Sequence, residues 1–275
     1  MLEMDLASKH ADLQQRLLDL GSALVAFSGG VDSTLLLKVA VQTLGRENVL
    51  AVTGRSPSIA AGELADAASL AAEIGARHEF LDTDEFDDPN YVANPAQRCY
   101  YCKTALYRQL VRIAKERGYA AVLSGTNSDD FDDFRPGLQA ADEHEVYSPL
   151  AEARITKSDL RQLATHLGLS IHDKPASPCL SSRIPYGEPV TPEKLRRIDA
   201  AESHLHELGI RECRVRHHGG LARVEVPAAE IARFGDPAFR ARIESNFRSL
   251  GFQYVTLDLR GFRSGSLNEA LPIKP

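Results

Sequence analysis

The stretch "ALVAFSGGVDSTLLLKVA", Ala23 to Ala40, decides how this chain is read. A short β-rich run, Ala23–Phe27, meets a polar, glycine-bearing turn, Ser28–Ser33, and then a second apolar run. A glycine-rich turn between a buried strand and a helix is a natural anion site. Gly29 and Gly30 let the backbone approach a ligand closely, and helix N-terminal N–H groups point at it. Ser28 and Ser33 add hydroxyl donors beside Val31 and Asp32. The lysine of the GxxxxGK[ST] loop is missing, so this is not the usual nucleoside-triphosphate loop. The plainer alternative is a strand-to-helix turn with Asp32 and Ser33 as caps.

Working outward, further short apolar runs read as buried strands: Val49–Thr53, His78–Asp82 and Ala120–Gly125. Helical spacing separates them. Leu64, Ala67, Ala71 and Ile74 recur within 60–74, and Leu106, Leu110 and Ile113 recur within 104–117, before Gly118. This alternation predicts an α/β fold with a parallel sheet covered on both faces and ligands at the carboxyl ends of its strands. After about residue 175 the pattern changes. "KPASPCLSSRIPYGEPVTP" has no period and reads as a functional connector. A helix over 192–208, a hairpin around "HHGG" and a strand in "YVTLDLRGF" follow. Two domains are expected, 1–174 and a smaller α+β domain over 175–275.

The 275 residues are 43% apolar, enough for a full core, and the net charge is −6. That balance argues against a strong electrostatic grip on nucleic acid. With no long apolar run and no signal-peptide layout at the N-terminus, no membrane association is expected and a cytoplasmic location is. Four unevenly spaced cysteines do not make a disulfide framework.

The loop matches SGGxDS, and so resembles the pyrophosphate loop of ATP pyrophosphatases, which cleave ATP between its α and β phosphates. Two later stretches suit an adenine nucleotide. "TGRSPS" (53–58), with Ser56, follows the second strand. "SGTNSDD" (124–130) follows the fourth, with Gly125 for close approach and Asn127 to bond a base or ribose. Asp129 and its acidic neighbours Asp130, Asp132 and Asp133 either help hold Mg²⁺ or form a solvated acidic loop.

Cys179, near Arg183 and several hydroxyls, is a candidate nucleophile or sulfur donor, or else a small buried filler. "RCYYCK" places Cys99 and Cys102 just before a helix start. A closed zinc site needs four ligands, and no second CxxC is present. Cys99, Cys102 and Cys179 together could hold three irons of a [4Fe–4S] cluster. Cys213 alternates with Val215 and should face the core. The same alternation puts Arg214 and Arg216 on one face, suited to phosphate or carboxylate or else simply solvated. Glu202 falls in phase with the apolar stripe Leu195, Ile198, Leu205, Leu208. There it wants an arginine or a divalent ion as partner, unless Ala201 completes the stripe.

"SGGVDS", "TGRSPS", "RCYYCK", "GTNSDD", "RPGLQA", "SPLAEARITK", "KPASPCLSSRIPYG", "VRHHGGLARVEV" and "LRGFRSGSLNE" occur in order along nearly the whole chain. With them the sequence resembles the LarE family, ATP-dependent sulfur transferases that help make the nickel-pincer nucleotide of lactate racemase. The resemblance implies a five-stranded parallel sheet of the adenine nucleotide alpha hydrolase-like type. It also implies ATP and Mg²⁺ and, with three cysteines, a possible [4Fe–4S] cluster. The implied substrate is pyridinium-3,5-biscarboxylic acid mononucleotide, whose carboxylates are adenylated and then converted to thiocarboxylates. Nucleotide binding falls to Ser28–Ser33, Ser56, Gly125, Asn127, Asp129 and Arg135. The catalytic set is Cys179, Asp32, Arg183 and Glu202, with Arg214 and Arg216 for the substrate's anionic groups, and a homo-oligomer is expected. Rival readings on the same loop are a tRNA thiolation enzyme, an ammonia-dependent amide ligase, and a non-enzymatic nucleotide sensor.

Overall fold

A computed structural model describes residues 4–132, 136–171 and 177–263. Arg135 and Asp133 lie outside the described residues. The chain forms two compact units. One comprises Met1–Tyr91 and Gln97–Ser177, the other Val92–Ala96 and Pro178–Pro275.

The first unit runs α1 (Met4–Leu20), β1 (Ala23–Ala26), α2 (Val31–Leu44), β2 (Val49–Arg55), α3 (Ala61–Ile74) and β3 (Arg77–Asp82). It continues through α4 (Pro89–Val92, ending at the boundary), α5 (Arg98–Arg117), β4 (Ala121–Leu123), α6 (Pro136–Glu143), α7 (Pro149–Glu152) and α8 (Lys157–His166). The strands form a parallel sheet ordered β3-β2-β1-β4, so the fold is α/β. Alternation along β1 explains its continuous apolar run. Ala23 and Val25 enter a core with Leu13, Leu17, Leu36 and Leu163, while Leu24 enters a second core with Tyr107, Leu110 and Val122. The fifth strand is a correction. Among the described residues the sheet has four strands, and the fifth position is a single parallel bridge, Leu123 to Tyr147. Pro149 opens α7 two residues later. Proline lacks the N–H that a longer ladder needs, so pairing stops there.

The second unit contains α9 (Pro192–Glu207), β5 (Arg214–His218), β6 (Leu221–Glu225), α10 (Pro237–Ser249) and β7 (Tyr254–Leu257). β5 and β6 form the hairpin across Gly219 and Gly220, and β7 joins β6 in parallel. Cys213, Val215, Ala222 and Val224 face Leu205, Phe247 and Phe252 in this unit's core. Burial pushes the Cys213 thiol far above its ordinary range, so it is inert packing.

His217 of β5 is also buried, beside Phe252, and neither ring nitrogen has a hydrogen-bond partner among the described residues. Burial holds its pKa below the ordinary value; Lys194 and Arg197 lower it further and Glu188 opposes them. As pH falls below about 6.5, the unfolded chain takes the proton first. Stability is therefore full above that pH and lost below it. Tm should fall between pH 7.5 and pH 5.5, and His217→Leu should lessen the fall; His10, His78 and His218, shifted the same way, keep the remainder. An unchanged slope in the variant would contradict this account. No described helix is long and apolar enough to cross a membrane.

Candidate functional site

The glycine loop leaves the carboxyl end of β1. Gly29 takes φ +70°, a left-handed conformation that favours glycine, and a side chain there would also press on Ala67. The chain thus reverses into α2, whose N-cap, Gly30, supplies no side-chain cap. The leading amides of a helix have no intrahelical acceptor, so an anion is their natural partner. The two serines shape the turn from within. The Ser28 and Ser33 hydroxyls are 3.0 Å apart, Ser28 N–H donates to Ser33 Oγ, and Gly30 N–H donates to Ser28 Oγ.

Gly125 closes one side of this loop. A Cβ at Gly125 would stand 2.8 Å from Ser33 N and 3.0 Å from Ser33 Cα. Only a residue without a side chain lets the β4 loop reach the start of α2. Asn127, expected to reach a base or ribose, is wholly buried and serves the loop itself. Its Nδ2 donates to Asp130 Oδ2 at 3.0 Å and to Asp32 Oδ2 at 3.3 Å, while its Oδ1 accepts from Asp129 N–H. Asp129 in turn accepts from Lys157 N–H at the start of α8, and the Lys157 ammonium stands 3.9 Å from Asp130. Asp32 and Asp130 are thus gathered around one amide, an all-oxygen donor set of the kind Mg²⁺ prefers beside phosphate. In "TGRSPS", Ser56 Oγ accepts from Ser58 N–H, and the buried Ser58 hydroxyl meets the Tyr91 hydroxyl at 2.5 Å, with Glu85 behind them.

Cys99 and Cys102 need a second correction: they lie inside α5, not ahead of it, because the helix begins at Arg98, soon after Pro95. One turn apart, they share a helix face, Cys99 exposed and Cys102 partly so. Two accessible thiols so placed are suited to soft-metal ligation. Both belong to the first unit and Cys179 to the second.

Cys179, in no disulfide and partly exposed, heads the tight turn Leu180–Arg183. Arg183 is buried, and its fork fixes this turn. Nη1 donates to the Pro178 carbonyl (2.6 Å), the Cys179 carbonyl (3.1 Å) and Ser182 Oγ (2.9 Å). Nε and Nη2 meet Glu202 Oε1 and Oε2, each at 2.9 Å. Glu202 also accepts the Val215 N–H at 2.8 Å. Of the two partners that the sequence leaves open for Glu202, the structure supplies the arginine.

Arg216 donates to Glu225 and to the Ser182 carbonyl, while Arg223 holds Glu225 and Asp258. Arg214 donates to the Cys213 carbonyl and stacks on Phe262 at 5.1 Å. Burial lowers its pKa, and so do the charges of Arg183 and Arg216. Among the described residues, Arg183, Arg214, Arg216, Arg223 and Arg263 gather around Glu202, Glu225 and Asp258. Clustered guanidinium groups are suited to an anionic ligand. Sequence reading found Arg214, Arg216 and Glu202 but missed Glu225 and Phe262. Strand pairing could have hinted at Glu225, which lies across from Arg214; nothing local marks Phe262.

Against known proteins, residues 12–92, which include the glycine loop, match the NAD synthase family. An uncharacterized protein of Synechocystis is 48% identical over 97% of this chain and 99% of its own length. A tRNA-specific 2-thiouridylase of Rickettsia felis is 27% identical over 56% of this chain and 52% of its own. The pyridinium-3,5-bisthiocarboxylic acid mononucleotide synthase of Lactiplantibacillus plantarum is 45% identical over 97% of this chain and 96% of its own, a match that spans both the glycine loop and the cysteine turn. On that likeness, the chain belongs to the LarE family.

Proposed function

We propose that this protein is an ATP-dependent sulfur transferase acting on pyridinium-3,5-biscarboxylic acid mononucleotide in nickel-pincer cofactor biosynthesis. The observation that carries the reading is Cys179, a partly exposed thiol on a turn fixed by Arg183, in a chain that also holds the pyrophosphate loop. The loop amides and the Ser28 and Ser33 hydroxyls bind the β and γ phosphates. A substrate carboxylate attacks the α phosphorus, and pyrophosphate leaves along the loop. Mg²⁺, which Asp32 and Asp130 would hold, supplies neutralising charge for the phosphates. Arg214, stacked on Phe262, receives the substrate's anionic groups; Arg216, tied to Glu225, shapes that surface.

The Cys179 thiolate then attacks the acyl carbon, and AMP leaves with the bonding pair of the broken C–O(P) linkage. The product is a thioester on Cys179. Removal of the Cys179 Cα proton forms a Cα=Cβ bond and expels the sulfur as the thiocarboxylate, leaving dehydroalanine. Cys179→Ala should still release pyrophosphate when given the carboxylate but form no thiocarboxylate. Thiocarboxylate formation by this variant at the wild-type rate would refute the reading. Loss of one H₂S from Cys179 after turnover, read by mass spectrometry, would support it.

A second sulfur source has its own observation, the two thiols one turn apart on α5. Cys99, Cys102 and Cys179 would hold a [4Fe–4S] cluster that supplies sulfide. Iron and acid-labile sulfide after anaerobic reconstitution, with Cys179 intact after turnover, would favour it; their absence would leave sacrifice of Cys179. The net charge of −6 speaks against nucleic-acid binding; a homo-oligomer in the cytoplasm, not associated with membrane, completes the reading. Salt-sensitive tRNA binding would speak instead for the thiouridylase reading.

A further inference from the structure

The first half of the sequence sends one short segment, Val92–Ala96, into the second unit, and Asn94 is its centre. Asn94 is fully buried and takes φ +56°, a left-handed conformation that asparagine tolerates better than most residues. Its side-chain amide faces three backbone carbonyls of one loop: Pro185 at 2.8 Å, Glu188 at 2.9 Å and Ile184 at 3.4 Å. The backbone adds two more ties, Gly187 N–H to the Asn94 carbonyl and Val190 N–H to the Val92 carbonyl.

Pro185 and Pro189 remove two of the loop's N–H groups, and the Glu188 N–H is used on the Pro185 carbonyl at 3.1 Å. The Asn94 amide adds a second donor to that carbonyl and supplies donors to the Glu188 and Ile184 carbonyls, and a carbonyl that loses its donor away from water is destabilising. This loop directly follows the Cys179–Arg183 turn, so that turn is clamped at both ends. Arg183, backed by Glu202, holds the Pro178 and Cys179 carbonyls upstream, and Asn94 holds Ile184 and Pro185 downstream.

We propose that Asn94 is a positioning residue for sulfur transfer: it fixes where Cys179 stands without touching substrate or nucleotide. The role in sulfur transfer rests on the function proposed above; the effect on the Cys179 turn does not. A nucleophile must be held close to its attack geometry, and small displacements are costly. Adenylation uses the loop of the first unit, so loss of Asn94 should separate the two half-reactions.

Asn94→Gly keeps the left-handed backbone accessible and removes only the amide. In the purified full-length variant, iodoacetamide should alkylate Cys179 at least about fivefold faster than in wild type, with Cys99 as an unchanged internal reference. Amide hydrogen exchange should rise across 184–190 and stay unchanged across 214–225. Carboxylate-dependent pyrophosphate release should stay within about twofold of wild type, while thiocarboxylate formation falls at least about tenfold. Unchanged alkylation and exchange, or an equal fall in both half-reactions, would overturn the proposal. Should the glycine variant not fold, Asn94→Asp retains the side-chain volume and at most one donor, and the same readouts apply. If wild-type protein releases no pyrophosphate with the carboxylate, the functional reading fails, and alkylation and exchange still decide whether Asn94 governs the Cys179 turn.

Discussion

Gly125→Ala is expected to lower ATP-dependent pyrophosphate release by about a hundredfold or more while the protein stays folded. The added Cβ would stand 2.8 Å from Ser33 N and 3.0 Å from Ser33 Cα, where ordinary contact begins near 3.4 Å. Both opposing atoms are backbone at the start of α2, so neither can swing aside as a flexible side chain would. The strand loop or the glycine loop must shift by more than half an ångström, and the loop amides proposed to hold the phosphates shift with it. Gly125 is a cleaner probe than Gly29, where alanine would meet a positive φ as well as Ala67. Gly62→Ala, which meets nothing within 4 Å in the first turn of α3, serves as the control. It should leave activity unchanged and stabilise the helix by up to about 1 kcal/mol. Near-wild-type pyrophosphate release by Gly125→Ala would show that the close approach does not position the phosphates.

Glu202→Ala is expected to destabilise the second unit by about 3–5 kcal/mol, because it leaves the Arg183 guanidinium buried without its counter-charge. The Val215 N–H loses its acceptor at the same time. Removing both charges together should behave differently. Arg183→Met with Glu202→Met replaces a buried ion pair by apolar bulk, which is often neutral for stability. The double variant should recover much of the lost stability and still fail in sulfur transfer, since the Pro178 carbonyl loses its Arg183 donor and the Cys179 carbonyl keeps only the Ser182 N–H. Denaturant unfolding followed by hydrogen exchange over 195–225 reads the first effect, and thiocarboxylate formation reads the second. A double variant with full sulfur transfer would reduce Arg183 to a packing role.

The two expectations separate what kind of information each residue carries. The α/β alternation was legible because strands covered on both faces read as short apolar runs, and helices between them keep a period near 3.6. The glycine loop was legible because its parts are neighbours along the chain: a strand end, a left-handed glycine and a helix start. Burial of Cys213 followed from a period of two.

Glu202 marks the limit of such reading. Its phase in the α9 stripe showed a carboxylate that needed a partner, but Arg183, 19 residues earlier, was only one of the possible answers. Asn127 had the right residue type for a nucleotide contact, yet burial turned its amide toward Asp32 and Asp130. The start of α5 and the stunted fifth strand were missed for a related reason: both ends depend on which backbone groups find partners in space.

By itself, then, the amino-acid sequence determined the strand-helix alternation around the glycine turn, the turn itself and the presence of a cysteine suited to sulfur chemistry, because periodicity, glycine conformation and side-chain chemistry are local properties. Only the tertiary structure decided that Gly125 abuts Ser33, that Arg183 and Glu202 together fix the Cys179 turn, and that Asn94 crosses some 90 residues of sequence to hold the loop beyond it. Those choices follow from satisfying buried charges and backbone carbonyls. Such groups take whichever partner the fold brings within hydrogen-bond reach, and distance along the chain does not enter.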